Sequence, residues 1–174
     1  MANPDFSLKN GYIIIGDSIS APRNSWANRL RDFLAGVPVM IDAMSGRYIT
    51  RYVFPSDLSN LYPVGDYGTV IYFLGMNDMI QGESLFEVET RLRTHFASIV
   101  AAGFDLKVVN IPGCVLMSEQ SITYRNLIRA VALDYVNEVH DASAVWDSTR
   151  LFDNVHPDDS LQQDIFKWVR DTVL

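Results

Sequence analysis

Apolar residues fall into short unbroken runs separated by stretches of helical period. The runs Tyr12–Gly16 (YIIIG), Pro38–Ala43 (PVMIDA), Thr69–Gly75 (TVIYFLG) and Leu106–Pro112 (LKVVNIP) have strand length, and Ser143–Ser148 (SAVWDS) is a weaker fifth. Their continuity, in place of alternation, predicts strands covered on both faces, as in a parallel sheet. Between them, Trp26, Leu30, Phe33 and Leu34 share one helical face that stops at Gly36. Val88, Leu92, Phe96, Ile99 and Val100 repeat the pattern before Gly103, a C-terminal cap. Tyr124, Leu127, Ile128, Val131 and Tyr135 predict a third helix, and Leu161, Ile165, Trp168 and Val169 a last one after Pro157. Strands alternating with helices predict an α/β/α sandwich with right-handed crossovers.

The segment from Arg47 to Gly68 breaks the rhythm. It carries Tyr48, Tyr52, Phe54, Tyr62 and Tyr67 with two prolines and no clean period. It reads as a long irregular loop with at most a short helix. Such loops are often functional; its aromatics could equally form a satellite core.

Composition narrows the partners. The 174 residues fit one domain, 1–174, and 48% hydrophobic content is enough for a layered core. A net charge of −7 without a Lys/Arg run argues against nucleic acid as a main partner. No apolar run approaches membrane-span length, and the N-terminal MANPDFSLKN lacks the basic and apolar regions of a signal peptide, so a cytoplasmic protein is expected. One cysteine, Cys114, precludes an internal disulfide or a multi-cysteine metal site, and His95, His140 and His156 show no zinc spacing.

Candidate chemistry gathers where the predicted strands end, which is where open parallel sheets bind ligands. Gly16-Asp17-Ser18 follows the first strand, Met44-Ser45-Gly46 the second and Gly75-Met76-Asn77-Asp78 the third. Asp153-Asn154-Val155-His156-Pro157 follows the fifth. Together they offer a hydroxyl, glycine N–H groups, an amide and an Asp/His pair, the inventory for acyl transfer. Gly-Asp-Ser alone is ordinary turn chemistry, so Ser18 is read as a nucleophile only in company with the other groups.

The four blocks GDSI (16–19), DAMSG (42–46), GMND (75–78) and DNVHP (153–157) stand in the order of the SGNH hydrolases, also called the GDSL esterase/lipase family, which the chain resembles. The resemblance implies a flavodoxin-like three-layer α/β/α sandwich on about five parallel strands and no cofactor or metal. It implies that Ser18 is the nucleophile, His156 the general base and then acid, and Asp153 the residue orienting His156. The implied oxyanion hole combines the backbone N–H groups of Ser18 and Gly46 with the Asn77 side chain. The second block departs from the pattern: Asp42 stands where Asn is usual, and Met44 where a small residue is common. Arg47 and Tyr48 beside Gly46 are candidate substrate contacts, although the arginines at 47 and 51 could merely solvate the loop.

Other residues have plainer expected roles. Asp17 holds its turn, and Asn77-Asp78 could simply cap the following helix, a structural role of that kind being expected for Asp78. His95 sits at a helix border, His140 near a helix end as a dipole-favoured cation, and Cys114 is a bystander. The implied reaction is hydrolysis of a carboxylic ester, with short acyl chains or an O-acetylated carbohydrate as leading substrates. The same groups would serve an acyltransferase. A non-catalytic binding module is the third alternative, although no phosphate-binding Gly-rich motif is present.

Overall fold

A computed structural model describes residues 11–52, 67–112 and 118–174. Most of the aromatic loop, with Phe54 and Tyr62, and Cys114 lie outside the described residues.

Five strands form one parallel sheet: β1 (Gly11–Gly16), β2 (Val39–Ala43), β3 (Tyr67–Phe73), β4 (Asp105–Asn110) and β5 (Val139–Asp141). Their order is β2-β1-β3-β4-β5, the flavodoxin-like arrangement. Ile13, Ile14, Val70, Ile71 and Val108 are wholly buried, as two-sided coverage requires. Only β2, at the edge, is half-buried along its length. Among the described residues five α-helices accompany the strands: α1 (Trp26–Phe33), α2 (Met76–Gln81), α3 (Leu85–Ala101), α4 (Ser118–Ala132) and α5 (Asp159–Trp168). α1 packs on α5 and α3 on α4, giving the two outer layers.

Local signals explain the boundaries. Ser25 Oγ accepts from the Asn28 N–H to start α1, and Asp158 Oδ1 accepts from Leu161 N–H at 2.7 Å to start α5. Tyr135 lies past the end of α4 but still meets Phe96 edge-on at 5.8 Å. Phe33, assigned to the inner face of α1, is instead mostly exposed and packs against Phe166. α2, with six residues, is too short to show a period.

The fifth strand corrects the expectation. It is Val139–Asp141, not Ser143–Ser148. Asp141 and Asp147 explain why: each side chain accepts from the N–H two residues on, at 2.9 Å, and winds the chain into a 3₁₀ turn. His140 consequently lies in β5 and not at a helix end; burial lowers its pKa and disfavours the cation.

The register sets up the site. Gly16 of β1 pairs with Ala43 of β2 and with Phe73 of β3. The loops after these three strands therefore leave one edge side by side, at the point where strand order reverses.

Candidate active site

Ser18 sits in a turn fixed from several directions. Asp17 Oδ1 accepts the Ile19 N–H at 3.0 Å, and the Asp17 carbonyl accepts from Ser20 and Ala21. Gln162, on α5, donates to the Ile19 carbonyl and accepts from the Trp26 N–H at 2.8 Å. The Trp26 indole donates to Ser20 Oγ, and Ser25 Oγ donates to the Ser20 carbonyl. Ser18 itself is half-buried. The Asp17 carboxyl beneath it is fully buried, and loss of solvation pushes its pKa up to about 6, against the pull of the Ile19 N–H and the nearby His156.

His156 reaches Ser18 from the far end of the chain. After β5 the backbone returns through a short antiparallel bridge, Leu151 with Pro157, and α5 then packs on α1. Asn24 and Arg29 bind Asp159, and Arg150 binds Asp164, so the loop between is held at both ends. Within it, Asp153 Oδ1 accepts from the Val155 and His156 N–H groups at 3.1 and 2.7 Å. Its Oδ2 lies 2.6 Å from His156 Nδ1, and His156 Nε2 lies 2.9 Å from Ser18 Oγ. A carboxylate at Nδ1 takes that N–H, which leaves the Nε2 lone pair to accept from the Ser18 hydroxyl. Burial works to raise the Asp153 pKa, but the hydrogen bonds from His156 and Val155 outweigh it and hold the carboxyl below its ordinary range.

Asn77 stands in the first turn of α2. Gly75 precedes it with φ of +131°, and an added Cβ there would lie 2.9 Å from Ile128 Cδ1. The positive φ is what reserves this turn for glycine, since the Ile128 contact is with the end of a flexible side chain. Asn77 Nδ2 donates one hydrogen to the Arg47 carbonyl at 3.0 Å. Asp78, expected to cap its helix, instead braces a neighbouring loop: its buried carboxylate accepts from Ile49 N, Thr50 N and Thr50 Oγ1 at 2.7–3.1 Å. It thereby ties the loop bearing Gly46 to the helix bearing Asn77. Gly46 has φ of +74° and open space where a side chain would sit, so conformation rather than crowding selects glycine there.

Asp42 is integrated rather than misplaced. Its Oδ1 pairs with Arg47 Nη2 at 2.6 Å, its carbonyl accepts from Arg47 Nη1, and its Oδ2 accepts from the Tyr52 hydroxyl at 2.5 Å. The Arg47 guanidinium lies 4.3 Å from the Tyr52 ring centroid. Arg47 is thus turned into the loop with its side chain 10% exposed. Tyr48 remains half-exposed beneath Arg51, whose guanidinium lies 4.2 Å over its ring. These two, with Met44, Gly46, Arg47 and Tyr52, line a cavity of about 310 Å³. A larger cavity of about 470 Å³ opens where β4 and β5 begin and contains none of the candidate residues.

His95, placed at a helix border by its sequence neighbours, is 1% exposed. Its Nδ1 lies 2.9 Å from the Tyr72 hydroxyl and it also hydrogen-bonds the Tyr52 backbone. Desolvation lowers its pKa to about 4. Sequence reasoning passed over two residues that shape the site, Gln162 and Phe152, and the pairing of Asp42 with Arg47. Phe152 is 73% exposed and stacks on the His156 ring with centroids 5.6 Å apart and planes at 19°. The signal for Phe152 was its place beside DNVHP; Gln162 carried none. Among the described residues no cluster of three or more His, Cys, Asp or Glu could hold a metal ion, and no helix is long and apolar enough to cross a membrane.

No protein-family model and no curated protein matches the chain. Solved structures do. The esterase EstA from Pseudoalteromonas sp., inhibited by monoethylphosphonate, is 19% identical, with a TM-score of 0.77 over 94% of this chain and 96% of its own. A member of the lipolytic G-D-S-L family from Veillonella parvula DSM 2008 gives 12% and 0.71 over 93% and 97%. Est24, a carbohydrate acetylesterase from Sinorhizobium meliloti, gives 16% and 0.72 over 94% and 98%. The chain has the fold of the SGNH, or GDSL, lipolytic enzymes. The four sequence blocks and the fold point to the same group.

Proposed function

We propose that the protein is a serine-dependent carboxylic ester hydrolase with Ser18, His156 and Asp153 as its catalytic residues. The observation that carries this reading is the continuous chain from Asp153 Oδ2 to His156 Nδ1 at 2.6 Å and from His156 Nε2 to Ser18 Oγ at 2.9 Å. Ser18 Oγ attacks the ester carbonyl carbon as its proton passes to His156 Nε2, and Asp153 stabilises the resulting imidazolium. The oxyanion is received by the free amide hydrogen of Asn77 and by the N–H groups of Ser18 and Gly46. Collapse expels the alcohol, protonated by His156, and leaves an acyl-Ser18 ester. Water, deprotonated by His156, then releases the acid and restores the serine.

A short acyl group on a sugar fits best. The cavity beside Gly46 is small, Phe152 offers an exposed aromatic ring stacked on His156, and Est24, of like fold, is a carbohydrate acetylesterase. Ser18→Ala should abolish hydrolysis of p-nitrophenyl acetate while leaving the urea unfolding midpoint near the parent value. Asn77→Ala should lower kcat by about 10²–10³. Undiminished turnover by the Ser18→Ala protein would overturn the assignment.

A further inference from the structure

We infer that Arg47 is a positioning residue for the oxyanion hole, acting through its own carbonyl on Asn77. The inference rests on the proposed role of Asn77 as an oxyanion donor.

A primary amide carries two hydrogens and one acceptor oxygen. The Arg47 carbonyl takes one hydrogen from Asn77 Nδ2 at 3.0 Å, which leaves the second for the substrate oxygen. A flipped amide would set Oδ1 against the Arg47 carbonyl, acceptor facing acceptor. The carbonyl therefore dictates which end of the amide meets the substrate.

That carbonyl is itself held. Arg47 directly follows Gly46, and its N–H donates to the Met44 carbonyl at 3.2 Å. Its guanidinium grips both the side chain and the backbone carbonyl of Asp42, where β2 ends. The Tyr52 ring lies under the guanidinium, and its hydroxyl binds the second Asp42 oxygen. Residues 42 to 52 thus close on themselves through one arginine. Arg47 Nε is buried with no hydrogen-bond partner among the described residues, a cost that a merely solvating arginine would avoid by reaching out. A lysine could supply the charge but not the planar fork that meets two oxygens at once.

The test is a double-mutant cycle in the full chain. Arg47→Met should lower kcat about tenfold or more toward p-nitrophenyl acetate with KM within about twofold, since only transition-state binding is lost. Arg47→Lys should fall between parent and Arg47→Met. Combined with Asn77→Ala, Arg47→Met should cost little beyond Asn77→Ala alone, because both act through one amide. Losses that multiply, or an Arg47→Met kcat within twofold of the parent, would overturn the inference. So would a raised KM for anionic esters at constant kcat, which would return Arg47 to substrate contact. If Arg47→Met lowers the urea midpoint strongly, Arg47→Lys carries the same cycle. An Asn77→Ala protein of full activity would instead refute the oxyanion role on which the inference rests.

Discussion

The carboxyl beneath the candidate nucleophile should make folding stability depend on pH in an uncommon direction. Asp17 is 1% exposed, and burial raises its pKa from 3.8 to about 6. Below pH 3.8 the carboxyl is protonated in both folded and unfolded chains. Between 3.8 and 6 the unfolded chain releases its proton while the folded one keeps it, so stability falls as pH rises. The full difference, from 3.8 to about 6, is about 3 kcal/mol and is reached above pH 6. Asp17→Asn keeps an acceptor for the Ile19 N–H and cannot titrate. The unfolding free energy of the variant minus that of the parent should therefore rise by up to about 3 kcal/mol between pH 4 and pH 7. Urea titrations across that range measure it. A constant offset from packing the amide cancels in the slope. A difference that stays flat with pH would refute the reasoning.

His95 should act in the opposite sense. Its neutral ring is buried, with its pKa lowered from 6.5 to about 4, so the stability it contributes is present above 6.5 and lost as pH falls toward 4, by about 3 kcal/mol. His95→Gln should thus gain on the parent as pH falls through that window, and parallel curves would count against it. Because the His95 and Asp17 effects oppose one another between pH 4 and 6, the parent curve alone should show neither. Phe152→Ala removes the exposed ring stacked on His156; KM should rise about two- to tenfold for aryl or sugar acetates and change little for ethyl acetate, as paired initial-rate measurements would reveal.

Some of the site was legible because its residues are fixed by local chemistry. Gly16-Asp17-Ser18 closes a buried strand, and Asp153 can reach both the backbone and the ring of His156 because they are three residues apart. Other parts depend on partners remote in sequence. Arg47 read as either an anion contact or a solvated loop residue because nothing near it says that its guanidinium turns back on Asp42 and Tyr52. Asp78 looked like a cap because its true ligands, at 49 and 50, lie across a loop. The fifth strand was misplaced because the apolar run Ala144-Val145-Trp146 outweighed two short Asx turns around it.

By itself, then, the sequence determined the alternation of buried strands and helices, and it determined which residue types stand at the strand ends. Hydrophobic period and turn chemistry act over a few residues and leave their record locally. The tertiary structure alone decided that loops separated by more than a hundred residues meet within hydrogen-bond distance. The strand order brings the β1, β2 and β3 ends to one edge, and the packing of α5 on α1 carries His156 back to Ser18. It also decided the direction in which each side chain is spent: Arg47 inward on its own loop, Asn77 with one hydrogen committed and one free.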